Sequence, residues 1–451
     1  MLSAYANCMK IPDLRQRILF TLGVIALCRV ASAIPCPGVD PHELGVLFGA
    51  MAKGSGGGML NMFNLFSGGA LQKFAVAALG IMPYISASII IQLMTPVIPT
   101  LEKIQREGDT GRQKLNQYTR YLTVIICVIQ GGMLAKTMVN PELLGLPGGA
   151  HPVLNPGPAF LISTVIILTA GAMLLMWLGE QITERGIGNG ASIIITVGIV
   201  DRLPSSVWSM VSLVRAGGTG TQHFTIIHVL VILVAFFAIC AATVALTQAQ
   251  RKIPIKYARA VGGRRATTGQ TSYMPLRVNY SGVMPLIFAS AVLMFPAMLV
   301  NWIPYTRNHG WSMLFAYGSG WYMLFYGVLI MGFAFFWVAN QFNPIKIADD
   351  LQKNGGFIPG VRPGHPTAEF LDFSMTRITI AGALFLTVLA VLPMILSRQA
   401  NIPDAVAQFF GGTTLLIMVG VMLDTMRQIE AFLVSRHYDG FLTKGHLRSR
   451  R

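Results

Sequence analysis

The chain has 451 residues, is 53% hydrophobic and only 12% charged, and carries a formal net charge of +16 from 34 Lys+Arg against 18 Asp+Glu. Soluble domains hold about 25% charged residues, and a soluble core cannot absorb this much apolar side chain, so a soluble globular protein is excluded. The basic excess would suggest nucleic acid in a soluble protein; here it fits the positive-inside bias of a membrane protein, which still allows a basic face for ribosomal RNA, an acidic protein or anionic lipid.

Met1 to Pro12 is too polar for the apolar part of a signal peptide, and no small-residue cleavage pattern follows, so the first apolar run is expected to stay in the protein. A helical span needs about 20 mostly apolar residues. Ten such stretches are predicted, near 18–36, 71–96, 118–139, 157–179, 190–208, 224–247, 280–303, 321–341, 376–397 and 409–430. An even number puts both termini on one side. Most Lys and Arg fall on the two tails and on the loops after spans two, six and eight, which places both termini in the cytoplasm. The expected fold is an all-α integral membrane protein with ten transmembrane helices. Five helices per half, an odd number, would make the two halves pseudo-symmetric and inverted. The expected division is 1–208, 209–430 and a cytoplasmic tail at 431–451.

Arg29, in the outer third of span one, is expected to snorkel to the outer interface. Gly54 to Gly58 reads as a flexible outer loop, because no Lys-Ser/Thr pair follows to make it a phosphate loop. The apolar run Met59, Leu60, Asn61, Met62, Phe63, Asn64, Leu65 and Phe66 is too short to span. It is either an interfacial helix or a re-entrant piece, within a segment at 58–69, that folds into the protein and blocks something. In span two, Pro83 favours a kink, and Ile81 and Ile85 share a face. They either pack plainly or line a narrow apolar constriction. Glu180 and Glu184 read as helix-end charges beyond span four. The loops 248–277 and 342–375 are long, and the first is strongly basic; long ordered loops of this kind usually carry function. Arg362 lies between Pro- and Gly-constrained turns that would present it at a loop tip.

Enzyme signals are nearly absent: there is no GxxxxGK[ST], HExxH or GxSxG, and no carboxylate pair within a span. Five scattered cysteines without CxxC argue against a disulfide framework or a structural zinc site. No enzyme activity, cofactor or metal is expected. The alternative reading is an ion-coupled secondary transporter with inverted repeats, which would need ionisable groups at mid-membrane depth.

Five stretches carry a resemblance. They are NLFSGGALQKFAVAALGIMPYISASIIIQL at 64–93, EGDTGRQKLNQYTRY at 107–121, MWLGEQITERGIGNGASIII at 176–195, NPIKIADDLQKNGGFIPGVRPG at 343–364 and FGGTTLLI at 410–417. In this order on a ten-span chain, they resemble the SecY family, the central subunits of bacterial protein-conducting channels. The resemblance implies two five-helix halves around an hourglass pore, with Ile81, Ile85, Ile195, Ile287 and Ile417 as a ring at the waist. Met59 to Phe66 would be the plug. The lateral gate would lie between spans two and three on one side and seven and eight on the other. Arg251, Lys252, Arg264, Arg265 and Arg362 would bind the SecA motor or the ribosome, and SecE and SecG would be partner subunits. Clients would be secretory and membrane-protein precursors. One departure is Ile345, where many relatives carry Arg after Asn-Pro, with Lys346 next.

Overall fold

A computed structural model describes residues 11–40, 42–45, 47, 64, 66–140, 152–215, 226–257, 271–302, 314, 318–399 and 412–444. Each expected span coincides with a helix. Spans one to five are Pro12–Ala33, Met82–Met94, Asp109–Val139, Pro158–Arg185 and Gly190–Asp201. Spans six to ten are Ile226–Gln248, Met284–Trp302, Gly320–Gln341, His365–Gln399 and Gly412–Lys444. Large apolar side chains such as Leu22 and Leu27 on span one, Ile162 and Ile166 on span four and Val388 on span nine face outward. In water that would be a liability; around a bundle of apolar helices it is a lipid-facing belt.

Packing divides the helices into two groups. Span one packs on four and five, two on three and four, three on four, and four on five. Span six packs on nine and ten, seven on eight and ten, and nine on eight and ten. The substantial contacts between the groups are span five with span ten, and span two with span seven. On the five–ten side the groups are also tied by Gly188, whose N–H donates to Gln428 Oε1 at 2.8 Å.

Span two is shorter than its apolar run suggests. Residues 67–81 form consecutive turns rather than helix, and most are buried. Irregular backbone at this depth must find its hydrogen bonds inside the protein. Here Val76 N–H donates to the Ile34 carbonyl and Cys36 N–H to the Phe74 carbonyl, both at 2.9 Å. Gly69 N–H donates to the Asn64 carbonyl at 2.9 Å, and Gln72 N–H to Asn64 Oδ1 at 3.1 Å. At its other end span two breaks by 98° into a polar helix, Pro99–Arg106.

The loops after spans six and eight are joined. Their residues build a three-stranded sheet of order β2-β1-β3, with β1 Gln250–Tyr257, β2 Thr271–Arg277 and β3 Gly356–Phe357. All pairings are antiparallel, and Ile253 faces Met274. Ile253 and Leu276 point into an apolar cluster with Phe342, Ile358, Leu371 and Met375, which fixes the sheet to the ends of spans eight and nine. The fold is therefore helical as expected, with a small sheet in place of two separate loops.

Candidate functional site

A cavity of about 330 Å³ opens between spans two, three, four, five, seven and eight, on the side of the bundle that bears the sheet. One part of its wall is polar: Ser88, Gln92, Asn116, Arg120, Glu180, Thr183, Glu184, Asn189 and Ser192. The rest is apolar and includes Ile85, Ile195, Ile287, Met284, Phe288 and Trp337. Arg120 and Glu180 form a two-pronged ion pair across spans three and four. Arg120 Nε donates to Glu180 Oε1 at 3.1 Å, and Nη2 donates to Oε2 at 2.6 Å. Glu180 is thus paired inside the vestibule, with 16% of its side chain exposed, rather than standing free as a helix-end charge. Opposite, Phe288 stacks edge-on with Phe333 and Trp337, at centroid distances of 5.9 and 5.3 Å.

The five isoleucines share one large buried cluster. Ile81, Ile85, Ile195, Ile287 and Ile417 are each at most 7% exposed and belong to one contiguous apolar cluster, and three of them line the cavity. The elements that bring them there are the first turn of span two, where Pro83 starts the helix instead of kinking it, the N-terminal half of span five, span seven one turn beyond Val283, and the start of span ten.

Of the short apolar segment, Asn64 and Phe66 are described; Met59, Leu60, Asn61, Met62, Phe63 and Leu65 lie outside the described residues. Both described residues are buried, and Phe66 belongs to the same cluster as the five isoleucines. The backbone at Phe66–Gly68 runs against span five at Gly198, where a Cβ would sit 3.4 Å from the Phe66 carbonyl oxygen and from Gly68 N and Cα. Gly198 lies three residues beyond Ile195, about 4.5 Å along the helix. The segment's end therefore rests about one turn past the isoleucine cluster, on the side opposite the cavity.

Arg29 does not snorkel. Its Nη1 donates to the Gly68 carbonyl and pairs with Asp201 Oδ2, both at 3.4 Å. Asp201 and the Gly68 carbonyl, both distant in sequence, give the guanidinium partners inside the protein, so it has no need to reach for the interface. Sequence reasoning missed these contacts, and the hydrogen bond that Arg202 Nη1 donates to Gln72 Oε1 at 3.1 Å, because no local pattern links the partners.

Arg251 and Lys252 sit exposed on β1, and Arg362 is exposed in the turn between Gly360 and Gly364. The Arg362 carbonyl accepts from Thr367 Oγ1 at 2.8 Å, which braces that turn. Arg264 and Arg265 lie outside the described residues. Ile345 is 61% exposed at the start of a helix, Pro344–Lys353, whose first turn is capped by Asn343 Oδ1 accepting from Lys346 N–H at 3.1 Å.

A cavity, part polar and part apolar, inside a membrane-embedded bundle whose two groups of helices meet along two seams fits the class of membrane channels. The chain belongs to the SecY family, whose sequence pattern matches residues 75–426. Relatives named protein translocase subunit SecY include one from Chlamydia muridarum, 42% identical over 98% of both chains. One from Escherichia coli K12 is 42% identical over 97% of this chain and 95% of its own, and one from Streptomyces scabiei is 43% identical over 98% and 100%. Among solved structures, one described as a protein-conducting channel matches with TM-score 0.64 at 16% identity, covering 93% of this chain and 92% of its own. Sec61 from a canine ribosome–channel complex matches with TM-score 0.61 at 16% identity, with the same coverage. At these identities the structural likeness bears on the fold: ten transmembrane helices.

Proposed function

We propose that this chain is a gated conduit that passes unfolded secretory polypeptides across a bacterial cytoplasmic membrane and releases apolar segments sideways into lipid. The observation that carries this reading is the junction of Ile85, Ile195 and Ile287 with the polar vestibule, backed by Ile81 and Ile417 in the same buried cluster. These five isoleucines form the constriction. Met59 to Phe66 plug its outer side, and the vestibule, the sheet and both termini face the cytoplasm. The two halves, 1–208 and 209–430, part along the seam of spans two and three against seven and eight.

The magnitudes fit both routes. Carrying one Arg or Lys through hydrocarbon costs at least ~2.5–3.5 kcal/mol, and an unsatisfied peptide group adds several more, so an extended polar chain needs a hydrated path. An apolar waist offers no hydrogen bond and no charge, so it is indifferent to sequence while limiting ion leakage. An apolar segment of about 20 residues favours lipid by roughly 6–12 kcal/mol, enough to leave through a sideways opening without chemistry.

Directional transport then needs an external energy source on the basic cytoplasmic face. We assign that contact to Arg251, Lys252, Arg264, Arg265 and Arg362, and its partners to the SecA motor and the ribosome. The ribosome is supported by relatives solved on ribosomes, canine Sec61 and yeast Ssh1. SecE and SecG complete the assembly. The ion-coupled transporter is not favoured, because the relatives are translocase subunits.

The test is a photoreactive probe at Ile81 or Ile287 with a stalled secretory precursor. Crosslinks to the translocating chain are expected at both positions and not at lipid-facing Leu384. The reverse pattern would overturn the reading.

A further inference from the structure

Two arginines from different spans converge on a single turn. Arg29 of span one donates from Nη1 to the Gly68 carbonyl at 3.4 Å, and Asp201, the last residue of the span-five helix, holds the same Nη1 at 3.4 Å. Arg202 follows at once; its Nη1 donates to Gln72 Oε1 at 3.1 Å. Between them, Gly68 and Gly69 take the left-handed φ values of +61° and +85°. A Cβ at Gly68 would lie 2.6 Å from Arg29 Nη1, and one at Gly69 would lie 2.8 Å from Arg202 Nη2, so each guanidinium is packed against backbone that only glycine provides. Asn64 closes the turn from the other side by accepting from Gly69 and Gln72.

We infer that Arg29 and Arg202 are positioning residues that clamp the Phe66–Gln72 turn against span five, and so hold Phe66 over the isoleucine cluster when the channel is idle. The arrangement has the properties of a latch. It joins spans one and five to the lead into span two. It is also poised for release. Arg29 Nε and Arg202 Nη2 are buried without a hydrogen-bond partner among the described residues. A buried donor left unpaired opposes the state that buries it. Lifting the turn admits water to both groups, so the clamp resists the first displacement and favours completion of the movement. Moving charge away from Gly68 is therefore the step that a passing chain must drive, and no partner has to reach the outer side of the membrane to drive it.

The inference rests on the constriction reading, and the test separates the two. The full complex, with native cysteines replaced, carries Ser67→Cys as a reporter; Ser67 is buried when the turn is seated. The rate of labelling by a membrane-impermeant maleimide from the outer side measures release of the turn. Idle ion conductance of the same complex measures sealing. Losing one charge-assisted hydrogen bond corresponds to about a tenfold change in a two-state ratio. Arg29→Gln and Arg202→Gln are each expected to raise both the labelling rate and the conductance about tenfold, whereas Arg29→Lys, which keeps the charge, stays near the parent. Labelling rates unchanged in both Gln variants would overturn the clamp, whatever the conductance. Faster labelling with conductance unchanged, including after deletion of 59–66, would leave the clamp standing and remove the sealing role of the turn.

Discussion

Replacing Ile195 by Asn tests the constriction at one of its two most enclosed members. Ile195 is 1% exposed and sits on span five between the vestibule and the turn at Phe66–Gly68. In the closed waist the substitution forfeits about 1.5–3 kcal/mol of apolar burial. It also leaves a buried amide short of partners, at about 1–3 kcal/mol more. In an open, hydrated waist neither cost applies, because the isoleucine was exposed there and the amide is welcome. The closed state therefore loses at least about 2.5 kcal/mol relative to the open one, about a 70-fold shift in their ratio. Ile195→Val, which removes one methylene, should shift it by less than about tenfold. The assay is ion flux through the idle complex in proteoliposomes, normalised to incorporated protein. Ile166, 62% exposed on span four, supplies the control: Ile166→Asn burdens contact with lipid and should leave flux unchanged. Normal incorporation of Ile195→Asn with parental flux would refute the reasoning, since it would mean that the isoleucine cluster is ordinary core and not a seal.

Deleting Met59 to Phe66 should raise idle conductance, and parental conductance would count against the plug. Arg362→Glu should weaken motor-driven or ribosome-coupled export while the protein itself inserts normally, and normal export would remove Arg362 from the docking face. Arg120→Gln should lower the thermal stability of the detergent-solubilised complex by about 1 kcal/mol, because the paired arginine is half exposed and screened. The deficit should shrink in high salt, which weakens the parental pair as well, and a salt-independent deficit would point to packing instead.

The spans were legible because a bilayer demands length and apolarity, and both are written locally in the chain. The course of residues 67–81 was not. Its composition reads as helix, but Gly68, Gly69 and Gly80 all adopt positive φ, and so does Phe74 at 44°. What overrides propensity there is bonding to Ile34 and Cys36, on the far end of span one, which no window of sequence displays. The hairpin was hidden for another reason. Its inward alternation is short, at Ile253 and Ile255 on one strand and at Met274 and Leu276 on the other, and Pro254 and Pro275 argue against a strand. The strand tolerates Pro254 because β3 pairs with β1 only at Lys256 and Tyr257, leaving that edge open at position 254. Arg29 was misjudged by the same limit: its partner Asp201 is near only in space. The isoleucine positions came from family resemblance, and their gathering into one cluster is physically intelligible because four different spans each deliver an apolar face to the bundle's centre.

The three-stranded sheet gives one end of the bundle a single shared handle. β1 begins two residues after span six ends, β2 runs into span seven, and β3 belongs to the connection from span eight to span nine. Whatever grips this handle pulls on four helices together. Of these four, span seven also packs on span two across the seam between the two groups, so a load on the handle reaches that seam directly.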